Sequence, residues 1–384
     1  MDSAYLLSLT DALRHKTVVV VGDVVADEFV YGRVARVSRE APVLILEYDS
    51  TEIVAGGAGN AANNVAGLGG RATLVAVVGR DVPGRRVVAA LNRRVDSRYL
   101  SRIPGTPTPI KTRILAGGIH SAKQQVVRID RGVARPVEPG ARQAFERAAL
   151  EAVQQGDAVL VSDYGSGLIT PAFVGKIRSA LRRAGPPIPV LIDTRYRLLN
   201  YRGLTACTPN ESEVEQALGI RINDDQRVLE RAGREILDRT RMQAVLITRG
   251  SRGMALFVRK APIVHIPIFG TDSIVDVTGA GDTVVSTVAL ALAAGGSCEA
   301  AARLANYAGG LVVMKRGTAT VSADELRAAI TYDSGAGLPP SREASAGRRG
   351  GPPDRTAQPA LASRVAQRPD VGRSGHGPGA KAHG

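Results

Sequence analysis

Short runs of consecutive apolar residues recur along the chain, separated by longer stretches with helical spacing. TVVVVG (17–22), ATLVAVVG (72–79), DAVLVSD (157–163), PVLIDT (189–194) and AVLITRG (244–250) are almost unbroken in aliphatic side chains. Successive side chains of a strand point to opposite faces, so an unbroken run predicts a strand covered on both sides. NAANNVAGL (60–68), AFERAALEAVQ (144–154) and FVGKIRSALRRA (173–184) lie between them and predict helices. The alternation predicts an α/β fold: an open, doubly wound, mainly parallel sheet whose ligands sit beyond the carboxyl ends of the strands.

Two segments break this rhythm. EFVYGRV with APVLILEYD, and PIKTRILAG with QQVVRID, read as antiparallel strands with no helix between them. They predict a small β-sheet lid from about 28–48 and 109–130. From Ser334 the aliphatic content collapses and no aromatic residue remains, so residues 334–384 are expected to be a disordered basic tail after a domain over 1–333.

The formal charge of +14 invites a nucleic-acid reading. The tail holds seven Arg and one Lys against Glu343, Asp354 and Asp370, and elsewhere both signs mix, as in ERAGREILDRTR. No helix carries a long basic run and no RNA-type aromatic signature occurs, so no nucleic-acid partner is expected. The two cysteines, Cys207 and Cys298, form no metal-type spacing and suit a reducing cytoplasm. The first apolar run is too short to span a membrane, and none is expected as a partner. A G-x-G-x-x-A match at Gly67, Gly69 and Ala72 ends a helix and precedes a strand, the reverse of a dinucleotide site, and there is no G-x-x-x-x-G-K-[ST] loop.

Three clusters carry candidate chemistry. DVTGAGDT (276–283) opens an apolar helix. Glycines there allow close backbone approach, and the free N–H groups of a helix start attract an anion. Asp282 would repel that anion. Either it merely favours the helix dipole, or the anion is a phosphoryl group in transit and Asp282 takes a proton from its acceptor. AGGAGNAANN (55–64) also leads into a helix, with Asn60 offering donor and acceptor to sugar hydroxyls. Asp23 and Asp27, just past the first strand, either bridge hydroxyls or turn the chain. In CTPNESEVE (207–215), Asn210 and Glu213 form a capping box or stand near nucleotide phosphates, with Glu213 orienting Mg²⁺ or its waters.

GGAGNAANNVAGLGG, NESE and DVTGAGDT, in this order, resemble the sugar kinases of the PfkB/ribokinase family over roughly residues 15–331. The resemblance implies a ribokinase-like fold, ATP with Mg²⁺, Asp282 as catalytic base, and an anion hole from the N–H groups of Gly279, Ala280 and Gly281. It assigns Asp23, Asp27, Gly56, Gly57, Asn60 and Asp193 to the sugar. Asn210, Glu213, Thr248, Gly250, Gly253 and Asn306 fall to the nucleotide, with Glu213 also to the metal. It further implies a homodimer formed through the lid.

Within the family, GDVVADEFVYGRVARVSREAPVLIL, SDYGSGLIT and RGTATVS resemble the D-glycero-D-manno-heptose 7-phosphate kinases. Bifunctional members carry a nucleotidyltransferase after the kinase, and no βαβ pattern follows residue 331, so only the kinase half is expected. Those kinases usually have Lys at Ser166, and Pro-Lys at Thr194 and Arg195. Lys111, Arg113 and Arg195 are candidates to hold a phosphate already on the sugar, or are solvated charges. A ribose- or fructose-type kinase of an unphosphorylated sugar remains the alternative, with a non-catalytic sugar-binding protein behind it.

Overall fold

The structure is a computed structural model that describes residues 2–117, 123–132, 137–270 and 276–335. The tail expected over 334–384 lies, from residue 336 on, outside the described residues. The strands are β1 (Thr17–Gly22), β2 (Val24–Val37), β3 (Leu44–Gly57), β4 (Arg71–Gly79), β5 (Val95–Asp96), β6 (Leu100–Ile103) and β7 (Ile110–Gly117). They continue as β8 (Gln124–Arg131), β9 (Ala158–Asp163), β10 (Val190–Thr194), β11 (Ala206–Cys207), β12 (Ala244–Thr248), β13 (Met254–Val258) and β14 (Val264–Ile266).

The main sheet runs β14-β13-β12-β11-β10-β9-β1-β4-β5, with β6 also against β4. The pairs from β12 through β5 are parallel, and β13 and β14 close one edge antiparallel. Its strands are apolar on both faces for a visible reason. Val18 and Val20 of β1 enter one core while Val19 and Val21 enter the other, and β9 divides Ala158 and Leu160 from Val159 and Val161 in the same way. Each such valine or leucine taken out of water contributes ~1.5–3 kcal/mol. Helices Ser3–Ala12, Ala58–Gly67, Ala280–Ala293, Cys298–Val312 and Ala323–Asp333 cover the first face. Pro139–Ala152, Pro171–Ala184 and Gln226–Thr240 cover the second. Among the described residues no helix is long and apolar enough to cross a membrane.

The small sheet, ordered β3-β2-β7-β8, comes from two insertions: β2 and β3 between β1 and the helix that should follow it, and β7 and β8 between β6 and helix Pro139–Ala152. β2 starts one residue after β1 ends, and β3 ends at Gly57 where helix Ala58–Gly67 begins. The two antiparallel pairs expected from the sequence are present, joined through a parallel β2·β7 pairing. The strands reach further towards the main sheet than expected, back to Val24 and on to Gly57, because the roots are buried and Asp27, Gly56 and Gly57 interrupt their apolar residues.

Candidate active site

The site is built at the carboxyl ends of β1, β9 and β10 and at the starts of two helices. Gly279 precedes helix Ala280–Ala293 in the left-handed region, φ 79°, and a Cβ there would lie 2.5 Å from Asn60 Nδ2. Only glycine fits this position without displacing Asn60. A Cβ on Gly281 would meet nothing within 4 Å, so packing does not demand that glycine and the space above it is open.

Of the three N–H groups expected to form an anion hole, that of Ala280 is engaged within the protein. The Ala280 N–H donates to Val277 O at 3.2 Å, because the chain closes a turn there before the helix starts. The N–H groups of Gly279, Gly281 and Asp282 are the ones with no protein acceptor among the described residues.

Asp282 is buried, and its carboxylate is fixed from two sides. Asn60 Nδ2 donates to Oδ2 at 2.7 Å and the Tyr164 hydroxyl donates to Oδ1 at 3.0 Å. Burial, with the charge of Asp193 adding to it, pushes this carboxyl up to about 7 against the pull of both hydrogen bonds. Asn60 is held in turn by the helix pair. Thr283 Oγ1 donates to Asn64 Oδ1 at 2.8 Å and Ser286 Oγ to Ala61 O at 3.0 Å.

Asp23 is the single residue between β1 and β2. It accepts from the Tyr164 N–H at 2.9 Å and the Ser166 hydroxyl at 2.5 Å, and burial raises its pKa. Ser166, noted as a departure, is thus the partner of Asp23. The two glycines beside it answer to the aspartates. A Cβ on Gly56 would lie 2.1 Å from Asp27 Oδ2, and one on Gly57, φ 60°, 2.4 Å from Asp23 O.

Of the three expected cations, Arg113 is paired within the protein: its guanidinium meets Asp27 Oδ1 at 2.5 Å in a largely buried bridge. The physical reason is the small sheet's register, which sets Lys111 opposite Asp27 and Arg113 two positions on along the same face of β2·β7, close enough for its long side chain to reach diagonally back to Asp27. Lys111 and Arg195 have no carboxylate within bridging distance among the described residues. Instead Lys111 Nζ lies 4.9 Å and Arg195 Cζ 4.5 Å from the centre of the Tyr164 ring. Loss of hydration and repulsion from Arg195 bring the Lys111 ammonium down to about 8.

Asp193 and Glu213 link this group to the other expected residues. Asp193, half-buried at the end of β10, is pushed up to about 7 by desolvation and then by the charge of Glu213. Asn210 and Glu213 form the capping box of helix Glu211–Leu218, and burial raises the Glu213 carboxyl. Asn210 pairs with Thr248 through an isolated parallel bridge. Gly250 and Gly253 are both left-handed, and a Cβ on Gly253 would lie 2.1 Å from Ile266 O, so the β13–β14 crossing already requires that glycine. Asn306 Nδ2 donates to Pro267 O at 2.8 Å and lines a cavity with Ile266, Phe269 and Tyr307. Thr248, Gly250 and Gly253 lie on or beside β12 and β13, and Asn306 packs against the chain just past β14.

Sequence reasoning passed over Tyr164, which touches Asp282, Asp23, Lys111 and Arg195 together. Its one signal was an aromatic residue directly behind the last residue of a parallel strand, in SDYGSG.

The model of the pfkB family of carbohydrate kinases matches residues 15–325. The chain belongs to this family. It is a carbohydrate kinase, for which ATP and a sugar are the substrates. The bifunctional protein HldE of Caulobacter vibrioides is 42% identical over 342 residues, 87% of this chain and 67% of that protein. The one of Geobacter metallireducens is 39% identical over 328 residues, 85% of this chain and 65% of the relative. This chain therefore spans about two thirds of the length of those curated relatives. The ribokinase of Arabidopsis thaliana, solved with ribose and ATP, shares the fold with a TM-score of 0.63 at 22% identity, covering 82% of this chain and 98% of its own.

Proposed function

We propose that this kinase transfers the γ-phosphoryl group of ATP to the anomeric hydroxyl of D-glycero-D-manno-heptose 7-phosphate, giving the 1,7-bisphosphate. The observation that carries the transfer is Asp282, a buried carboxyl near 7 beside three unengaged N–H groups at a helix start. Asp282 takes the hydroxyl proton as the sugar oxygen bonds to phosphorus and the bond to the departing ADP oxygen breaks. The N–H groups of Gly279, Gly281 and Asp282 hold the transferring group, and positioning with charge stabilisation does most of the work. Asp23 and Asn60 orient sugar hydroxyls.

Asp193 and Glu213 fit a hard divalent cation, since their carboxyls disfavour each other's charge. No group of three metal-ligating side chains occurs among the described residues, so phosphate oxygens and water would complete the shell of a Mg²⁺ held by Glu213. When bound, the ion would neutralise charge on the nucleotide phosphates.

The sugar phosphate is supported by Lys111 and Arg195, cations that form no salt bridge among the described residues and lie instead against the Tyr164 ring. A charge-assisted contact of about 1.5–3 kcal/mol corresponds to roughly 10–150-fold in specificity. The test is kcat/KM for heptose 7-phosphate, free heptose, fructose and ribose, in wild type and Arg195→Ala. We expect the variant to lose at least about tenfold on the phosphorylated sugar and little on the others. A free hexose or pentose as best substrate would overturn the heptose assignment and leave the kinase intact.

A dimer through the small sheet is supported by its exposed Val34, Val37, Leu44, Tyr48, Val127 and Ile129. Sedimentation should report a dimer that Leu44→Glu with Val127→Glu dissociates; a wild-type monomer at micromolar concentration would count against it.

A further inference from the structure

The side chain of Tyr164 meets the base and the cations Lys111 and Arg195, its backbone N–H meets the sugar-site aspartate Asp23, and phosphoryl transfer as described above gives it no part. Its hydroxyl donates to Asp282 Oδ1 at 3.0 Å, and its N–H to Asp23 Oδ2 at 2.9 Å. Lys111 Nζ and Arg195 Cζ lie 4.9 and 4.5 Å from its ring centre. We infer that Tyr164 is a positioning residue whose hydroxyl orients the Asp282 carboxylate, while its ring keeps Lys111 and Arg195 beside it. The inference rests on Asp282 being the base.

A carboxylate held by one donor can still rotate about its last torsion. Asn60 on Oδ2 and Tyr164 on Oδ1 together fix its plane, and each oxygen keeps a second lone pair for an incoming hydroxyl. A phenol suits this task. Burial and the charge of Asp282 hold the Tyr164 pKa well above 10, so it remains a donor across the working pH range. The ring suits the cations. A π face attracts an ammonium or guanidinium without neutralising it, so the charge stays available to an anion. Arg113, cancelled by Asp27, shows the contrast within the same site.

The groups that face Asp282 are Asn60, Tyr164, Asp193, Asp27 and Arg195, and Tyr164→Phe removes one hydroxyl and leaves the rest. The measurement is a ¹³C-carboxyl titration of the free enzyme, with the Asp282 signal assigned by its loss in Asp282→Asn. In Tyr164→Phe the Asp282 titration should move up by roughly one unit, the size of one charge-assisted hydrogen bond. On the best sugar substrate, kcat should fall at least about tenfold while KM for the sugar stays within about twofold, because the ring is retained. An Asp282 titration that does not move, or a raised KM with unchanged kcat, overturns the inference. The titration needs no turnover, so it reads Tyr164 even if wild type phosphorylates none of the sugars. That outcome would sink the proposed substrate instead.

Discussion

With its carboxyl pushed up to about 7, Asp282 is only part ionised in the free enzyme at neutral pH. A base must be ionised to accept a proton, so kcat/KM should rise with pH and level off above 7. For a phosphorylated sugar it should fall again above about 8, as Lys111 loses its charge; a neutral sugar should lack this alkaline limb. Asp282→Asn should lower turnover by at least ~10²-fold, the lower end of the usual contribution of a general base, and leave sugar and nucleotide affinities within a few-fold. Turnover above about a tenth of wild type would remove Asp282 from the role. At this scale the sequence was informative where chemistry sits on a local pattern. Asp282 and Asn60 follow glycines at helix starts, and both stand where that pattern puts them. Tyr164 was not legible, because it meets Asp282 across 118 positions of chain. The Arg113–Asp27 bridge was hidden for the same reason: it depends on the β2·β7 register.

Among the elements, the five long apolar runs became β1, β4, β9, β10 and β12 within a residue or two. Burial on both faces leaves the same mark on each of them. β5, β6, β11 and β14 are two to four residues long, too short to leave a pattern, and β14 has only one buried side chain. The helix start at Gly279 offers a test that separates two glycines which look alike in sequence. Gly279→Ala must adopt φ near 79° and displace Asn60 or Thr318, a strain of about 1–2 kcal/mol before any loss of the Asn60–Asp282 bond. Both melting temperature and turnover should drop. Gly281→Ala meets nothing in the protein, so its melting temperature should stay within about 1 °C while turnover falls, because the methyl enters the space assigned to the phosphoryl group. Equal thermal effects for the two would show that Gly281 is structural.

For the molecule as a whole, the acidic centre has a thermodynamic cost. Asp193 and Asp282 bind protons up to about 7, whereas carboxyls of an unfolded chain release them near 3.8. Between those values the native state holds more protons than the unfolded one, so these groups' contribution to stability is complete below 3.8 and is lost as pH rises through 7. Asp282→Asn, which cannot ionise, should therefore gain on wild type as pH rises, its melting temperature relative to wild type being at least about 2–4 °C higher at pH 8 than at pH 4. Calorimetry at the two pH values checks this, and an equal shift at both would show that the effect is not ionisation.

The joint at Asp23 and the direct run from Gly57 into Ala58 leave no slack between the two sheets. Adding one residue at Asp23 would turn every following side chain of β2 to the opposite face and carry Asp27 out of register, and adding one after Gly57 would rotate the helix that follows by about 100° and swing Asn60 away from Asp282. The far turn after Val37 is different. It lies at the end of a 14-residue strand, roughly 45 Å from Asp23, where added length disturbs no pairing. Added length at that turn bears only on the proposed dimer face at Val37 and Leu44 and leaves the site's register intact, whereas the two junctions must keep their natural length.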